Sequence, residues 1–151
     1  MKKVILLAIA ILIAAGLLVV DVVDIFKNKN QDALQASNEL PADFQDFYQR
    51  FHRDEDFQLS RIDFPLEGLP PDVDEGTLVS GDFTWKKDEW VMHKPLGTFG
   101  SDFKQRFVEL EDGLIVEVIR QADSKFAIER RWARQDGEWR LVYYAGMNLM
   151  E

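Results

Sequence analysis

Phe126-Ala127-Ile128-Glu129-Arg130-Arg131-Trp132-Ala133-Arg134-Gln135-Asp136-Gly137-Glu138-Trp139-Arg140-Leu141 decides the fold. Asp136-Gly137 is a two-residue turn signal, because both central positions of the tightest hairpin turn need positive φ. Alternating apolar residues stand on both sides of it. The segment therefore reads as a hairpin with Gln135 opposite Glu138.

The same pattern extends upstream. Asp112-Gly113 reads as a second two-residue turn, pairing Glu111 with Leu114, and Ala122-Asp123-Ser124 as a three-residue turn, pairing Gln121 with Lys125. Four strands follow, roughly 102–110, 114–121, 125–134 and 138–145. These registers put Phe103, Phe107, Leu114, Val116, Val118, Phe126, Ile128, Trp132, Trp139, Leu141 and Tyr143 on one face. The other face is half apolar: Val108, Leu110, Ile115, Ile119, Ala127, Val142 and Tyr144 stand among charged residues. Such a face needs cover by a long loop or by a second copy, so a homodimer through this outer face is one expectation.

Before the strands come helices. Leu40-Pro41-Ala42-Asp43 opens one, with Pro41 suited to the first turn. Phe44, Phe47, Tyr48 and Phe51 fall at i, i+3, i+4 and i+7, a single apolar stripe. Asp54-Glu55-Asp56 supplies terminal charge for a short helix from Phe57 to Arg61. Ile62 to Leu66 reads as an edge strand because of Pro65. Residues 67–80 are rich in turn formers, Thr84 to Trp90 reads as one or two helical turns, and 93–101 as a loop.

Further out, Val4 to Val20 carries no polar side chain. As a helix it is about 25 Å long, near the minimum for a bilayer. It is either a cleaved signal peptide ending at Ala14-Ala15-Gly16 or an uncleaved signal-anchor. The apolar Leu17-Leu18-Val19-Val20 just after that site favours the anchor. Lys2 and Lys3 place its start in the cytoplasm. The expectation is a single-pass bacterial inner-membrane protein: residues 1–26 span, 27–39 form a polar linker, and 40–151 form one domain facing the periplasm.

Composition narrows the function. The 151 residues hold 18 Lys+Arg against 27 Asp+Glu, for a net charge of −9. The acidity is uneven: residues 31–89 carry five basic and fifteen acidic groups, and residues 90–151 nine and ten. That balance argues against nucleic acid as a partner. Cys is absent, so there is no disulfide, thiolate nucleophile or Cys-ligated metal. Phosphate-loop, dinucleotide, HExxH and nucleophile-elbow motifs are absent too. With two distant histidines, no metal and no cofactor are expected. Asp72-Val73-Asp74-Glu75-Gly76 fails the calcium-loop template, since its Gly is one position early and Phe83 stands where the twelfth-position Glu belongs.

Helices followed by a curved antiparallel meander ending in Trp139-Arg140-Leu141 resemble the nuclear transport factor 2-like (cystatin-like) α+β cone. More narrowly, Phe44 to His52, Phe57-Gln58 to Ile62, Phe64-Pro65-Leu66-Glu67-Gly68, Trp85, Trp90 and the closing Asp136 to Leu141 resemble an uncharacterised bacterial family. It is labelled domain of unknown function 4348 and occurs mainly in Bacteroidetes. The resemblance implies an exported cone domain and transfers no catalytic residue.

Arg130 is the anomaly, a charge in the stripe Phe126-Ile128-Arg130-Trp132 beside the expected neighbours Val116 and Tyr143. Either it pairs with an acid of the first helix or lies at a pocket rim, or it serves a pocket between helices and sheet by presenting its guanidinium to an anionic or carbonyl ligand, with Tyr143 donating beside it. Tyr48 and His52, at i and i+4, flank the same place. His52 is either a packed helix-edge residue or an acid–base group; the same holds for His93. Trp85 and Trp90 either cover the core or form a stacking platform. Arg130, Tyr143, Tyr48 and His52 are thus the candidate ligand-pocket residues, with catalytic residues unassigned. The leading reading is a non-enzymatic module that binds a small ligand or a protein partner. A pocket enzyme of the isomerase or dehydratase type and a structural homodimer are the alternatives.

Overall fold

The computed structural model describes residues 40–72, 80–100, 102–122 and 126–148. The chain divides between Asn38 and Glu39. The expected membrane segment, the linker and most of the acidic stretch 72–76 lie outside the described residues. Among the described residues, no helix is long and apolar enough to cross a membrane.

The second unit is α+β. Two helices, α1 (Ala42–Phe51) and α2 (Glu55–Ser60), precede six strands: β1 (Leu66–Leu69), β2 (Thr84–Trp85), β3 (Phe103–Glu109), β4 (Ile115–Gln121), β5 (Phe126–Gln135) and β6 (Glu138–Asn148). The sheet order is β2-β1-β6-β5-β4-β3. All pairs are antiparallel except β1 with β6. Two 3-10 turns, Lys87–Glu89 and Leu96–Phe99, sit between β2 and β3, where one or two helical turns and a loop were expected.

The sequence explains the helices. Pro41 caps α1, whose buried face is Phe44, Phe47 and Phe51. Asp54 caps α2, its carboxylate accepting from the Phe57 backbone N–H at 2.9 Å. Phe44, Phe47 and Phe51 meet Trp132 edge-on, with ring centroids 4.9–6.1 Å apart. Trp139 and Leu141 close this aromatic core, and burying rings of this size dominates the stability of such a small domain.

Two strand registers differ from expectation, and the difference matters; the expected Ala122-Asp123-Ser124 turn lies mostly outside the described residues. The β5–β6 turn is as expected: Gln135 faces Glu138, and Asp136 and Gly137 have φ of 52° and 81°. At the β3–β4 turn the pairing ends one residue earlier, at Leu110 instead of Glu111. The Leu110 N–H donates to the Leu114 carbonyl at 2.8 Å, leaving a three-residue loop with Gly113 at φ 79°. On the far side of β4, Arg120 faces Ala127 rather than Phe126.

A slip of one residue on each side turns β4 over, because successive side chains point to opposite faces. Ile115, Glu117 and Ile119 therefore share the helix-side face with Phe107, Arg130 and Trp132, while Val116 and Val118 lie on the other. A bulge opposite Arg131/Trp132 then flips the end of β6: Arg130 faces Tyr144, and Tyr143 faces Arg131. Val116, Val118, Ala127 and Ala145, on the outer face, are buried.

The expected edge strand starts later. Ile62 makes one bridge to Leu141, and β1 proper begins at Leu66, after a cis Phe64-Pro65 bond. Gly68 then passes so close to β6 that a Cβ there would lie 1.8 Å from the Tyr144 carbonyl oxygen and 2.7 Å from the Trp85 indole nitrogen. That indole N–H donates to the same carbonyl at 2.9 Å. Gly68→Ala is expected to force β1 and Trp85 away from β6 and cost about 2 kcal/mol or more. The urea midpoint measures the loss, and Trp fluorescence reports the displaced indole; an unchanged midpoint contradicts the close approach.

Candidate functional site

Arg130 stands on the helix-side face in the middle of β5 and is 4% exposed. Its counter-ion comes from the neighbouring strand: Nη2 donates to Glu117 Oε1 at 2.6 Å. The acid expected from the first helix is replaced by one that the turned-over β4 brings in. Glu117 is fully buried and receives donors only: the Tyr48 hydroxyl at 2.6 Å, the Gln105 amide at 2.5 Å and the Trp132 indole at 3.0 Å. It is therefore the carboxylate, and the pair carries no net charge. Tyr48 also accepts, from Arg130 Nη2 at 3.0 Å and from Gln105 at 2.6 Å.

The other terminal nitrogen of the guanidinium contacts both histidines. Arg130 Nη1 lies 2.7 Å from His52 Nε2 and 3.3 Å from His93 Nδ1. Arginine only donates, so each of these ring nitrogens must hold its lone pair toward it. The remaining nitrogen of His52, Nδ1, donates to the Tyr48 carbonyl at 2.7 Å. His52 is thus the neutral Nδ1–H tautomer and His93 the neutral Nε2–H tautomer.

Electrostatics agree. Burial, then the Arg130 charge, pulls His52 down to about 4 and His93 well below the ordinary histidine value. Burial alone would weaken the Arg130 charge, but Glu117 and Tyr48 outweigh it and raise its pKa. Burial raises Tyr48 and Tyr144.

A cavity of about 520 Å³ opens between the sheet and the segment from β2 to the second 3-10 turn. Ile119, Ile128, Arg130 and Tyr144 form its sheet side; Trp85, Trp90, Met92, His93 and Leu96 form the wall. Gln58, on α2, holds that wall in place. Its amide nitrogen donates to the Phe51 and His93 carbonyls at 2.7 and 2.9 Å. Its amide oxygen accepts from the Trp90 indole at 3.1 Å and from the His93 backbone N–H at 2.8 Å. The Trp90 ring meets Tyr144 edge-on and the His93 ring meets it at a tilt, with centroids at 5.5 and 4.7 Å.

No family model matches the chain, and neither does any curated protein. Among solved structures it is similar to a nuclear transport factor 2-like protein from Bacteroides fragilis. The identity is 21% and the TM-score 0.49, over 72% of this chain and 48% of that one. It is also similar to a nuclear transport factor 2-like protein from Cytophaga hutchinsonii, at 14% identity and a TM-score of 0.37, over 70% of this chain and 95% of that one. The chain spans about half the length of the first.

Of the four pocket residues expected from the sequence, the structure brings three together. Arg130 borders the cavity, and Tyr48 and His52 stand behind it as its partners. Tyr143 lies on the opposite face, under the Arg131 guanidinium at 4.3 Å, and Tyr144 takes its expected place. Arg131 makes a second buried pair there, with Glu129 at 2.6 Å. Trp85 and Trp90, expected either to cover the core or to form a platform, line the cavity. Glu117, Gln105, Gln58 and Tyr144 went unpredicted. Glu117 had a signal, being the lone acid inside the apolar run Leu114 to Ile119. Among the described residues, no three His, Asp or Glu side chains gather to hold a metal ion.

Two outcomes follow from the buried cluster. Arg130→Met leaves Glu117 charged and without its counter-ion, and is expected to lower stability by about 3–5 kcal/mol. Adding Glu117→Gln should restore at least about 1 kcal/mol, so that chemical denaturation of the double variant gives a clear coupling energy; strict additivity contradicts the pairing. The second outcome concerns acid. Both histidines bind a proton less readily when folded, so the unfolded chain holds more protons between pH 6.5 and about 4. Stability is then complete above pH 6.5 and falls as pH drops through that window, by about 1.4 kcal/mol per unit per histidine. Glu129, raised by burial, works in the opposite sense with one proton. A urea midpoint that stays level from pH 7 to pH 4.5 contradicts the two neutral histidines.

Proposed function

We propose that this domain is a nuclear transport factor 2-like cone of the family labelled domain of unknown function 4348, and that it binds a small, largely apolar ligand without transforming it. The chain is held to the bacterial inner membrane by residues 1–26 and presents the domain to the periplasm. The observation that carries the binding reading is the cavity: about 520 Å³, within the ordinary range for ligand pockets, and lined mainly by Trp, Ile, Leu, Met and Tyr side chains.

Binding is favoured over catalysis by how the polar groups are used. Tyr48, His52 and Glu117 are already saturated by one another and by Arg130. His93 has its lone pair engaged by Arg130, so it offers a proton donor rather than a base. Glu89, the one carboxylate among the lining residues, is exposed on the 3-10 turn at the edge.

The test uses diphenylhexatriene, an uncharged hydrocarbon whose absorption overlaps tryptophan emission. The purified full-length chain should bind it saturably at one site per chain, with energy transfer from Trp85 and Trp90. Ile128→Trp narrows the cavity from its sheet side and should weaken binding while the far-ultraviolet circular dichroism stays unchanged. Absence of saturable binding, or unchanged affinity in the narrowed variant, overturns the reading.

A further inference from the structure

We infer that the cavity selects an uncharged molecule bearing a hydrogen-bond acceptor at one end, and that His93 is the residue that meets that acceptor. This inference rests on the binding reading above and adds the class of ligand.

Charge comes first. An arginine beside a cavity suggests an anion, but here its charge is spent. Glu117 neutralises it at 2.6 Å, and both terminal nitrogens donate to protein groups. Its remaining donor, Nε, is buried away from the cavity surface and from any partner. A carboxylate beside Arg130 would lose its water and find that guanidinium already neutralised by Glu117, a costly exchange. A cation would lie near a guanidinium and meet apolar walls. The charged groups among the lining residues, Glu89 and Lys94, are exposed and of opposite sign.

Hydrogen bonding then sets the polarity of the end. The Arg130 guanidinium fixes the lone pair of His93 on Nδ1 and leaves the proton on Nε2. Among the described residues no protein group bonds that Nε2–H, and His93 lines the cavity. Tyr144, whose ring lies 4.7 Å from that of His93, lines it too. A histidine whose second nitrogen is tied up in this way can only donate. Its complement is an oxygen acceptor such as a ketone, ester or amide carbonyl, carried on an apolar body that fills the space between Trp85, Ile119 and Ile128.

The experiment measures displacement of diphenylhexatriene from the full-length chain by three matched naphthalenes: a methyl ketone, the ethyl hydrocarbon and the carboxylate. The ketone should compete at about tenfold lower concentration than either of the others, the gain of one well-placed hydrogen bond in an apolar site. His93→Asn keeps an acceptor for Arg130 and removes the distant N–H. It should bring the ketone to the level of the hydrocarbon, each read as a ratio against the other on the same variant. Histidine 15N shifts of the wild-type chain give a second readout that needs no variant. They should show a bare Nδ1 and a protonated Nε2 on His93, with Nε2 moving when the ketone is added. If hydrocarbon and ketone displace equally, or the carboxylate competes best, the inference fails while the binding reading stands. If diphenylhexatriene does not bind at all, both fall together.

Discussion

The ion pair between Arg130 and Glu117 is the constraint on which the rest of this domain depends. Both groups are at most 4% exposed, on neighbouring strands, facing each other across the ladder. Neither charge is tolerable there alone. The surrounding polar side chains follow from that requirement: Tyr48 from α1, His52 from the cap just after it, Gln105 from β3, His93 from the wall and Trp132 from β5 itself. Such a pair adds less to stability than an apolar core of the same volume. What it adds is a single arrangement, because any other register leaves a bare charge in the core.

The pair also divides the helix-side face. Toward one end lies the aromatic core of α1 against Trp132 and Trp139; toward the other lies the cavity under Trp85 and Trp90. Nothing in apolar patterning alone would stop α1 or the wall from collapsing over the whole sheet. A polar cluster at the midpoint does, since its carboxylate, guanidinium and hydroxyl hold one another by directional bonds. Gln58 makes the same kind of division on the helix side, fastening the wall at three points and α1 at a fourth rather than letting the wall settle onto Ile119 and Ile128. The cavity thus persists because its borders are held by directional bonds, which resist collapse better than apolar contacts do.

Much of this was legible from the residues. The aromatic stripe of α1, the Asp136-Gly137 hairpin and the oddity of Arg130 follow from periodicity and turn chemistry. The register of β4 does not. Leu114 to Ile119 is apolar at five of six positions, so alternation cannot say which set faces in. The extra loop residue after Leu110 and the bulge in β6 each shift one strand by a single residue, and Asp-Gly signals a turn without fixing whether two or three residues form it. Read the other way round, the acid inside that run would have corrected the register. Placing Glu117 opposite Arg130 satisfies two buried charges at once, whereas the apolar register leaves one of them unpaired.

The choice of histidine around Arg130 is the last consequence of the same constraint. A guanidinium with five donors needs acceptors, and carboxylates are the strongest available. One carboxylate neutralises it; a second would leave the buried cluster with a net negative charge and repel the first. Neutral acceptors fill the remaining directions at no cost in charge. Tyr48 and two imidazoles supply them, and an imidazole differs from a backbone carbonyl in having a second nitrogen. In His52 that nitrogen is turned back onto the helix. In His93 it bonds to no protein group among the described residues. The two rings bind the guanidinium alike, so the difference between them is not explained by the needs of Arg130. It is explained by where each stands: His52 in the packed half of the face, His93 in the half that was kept open.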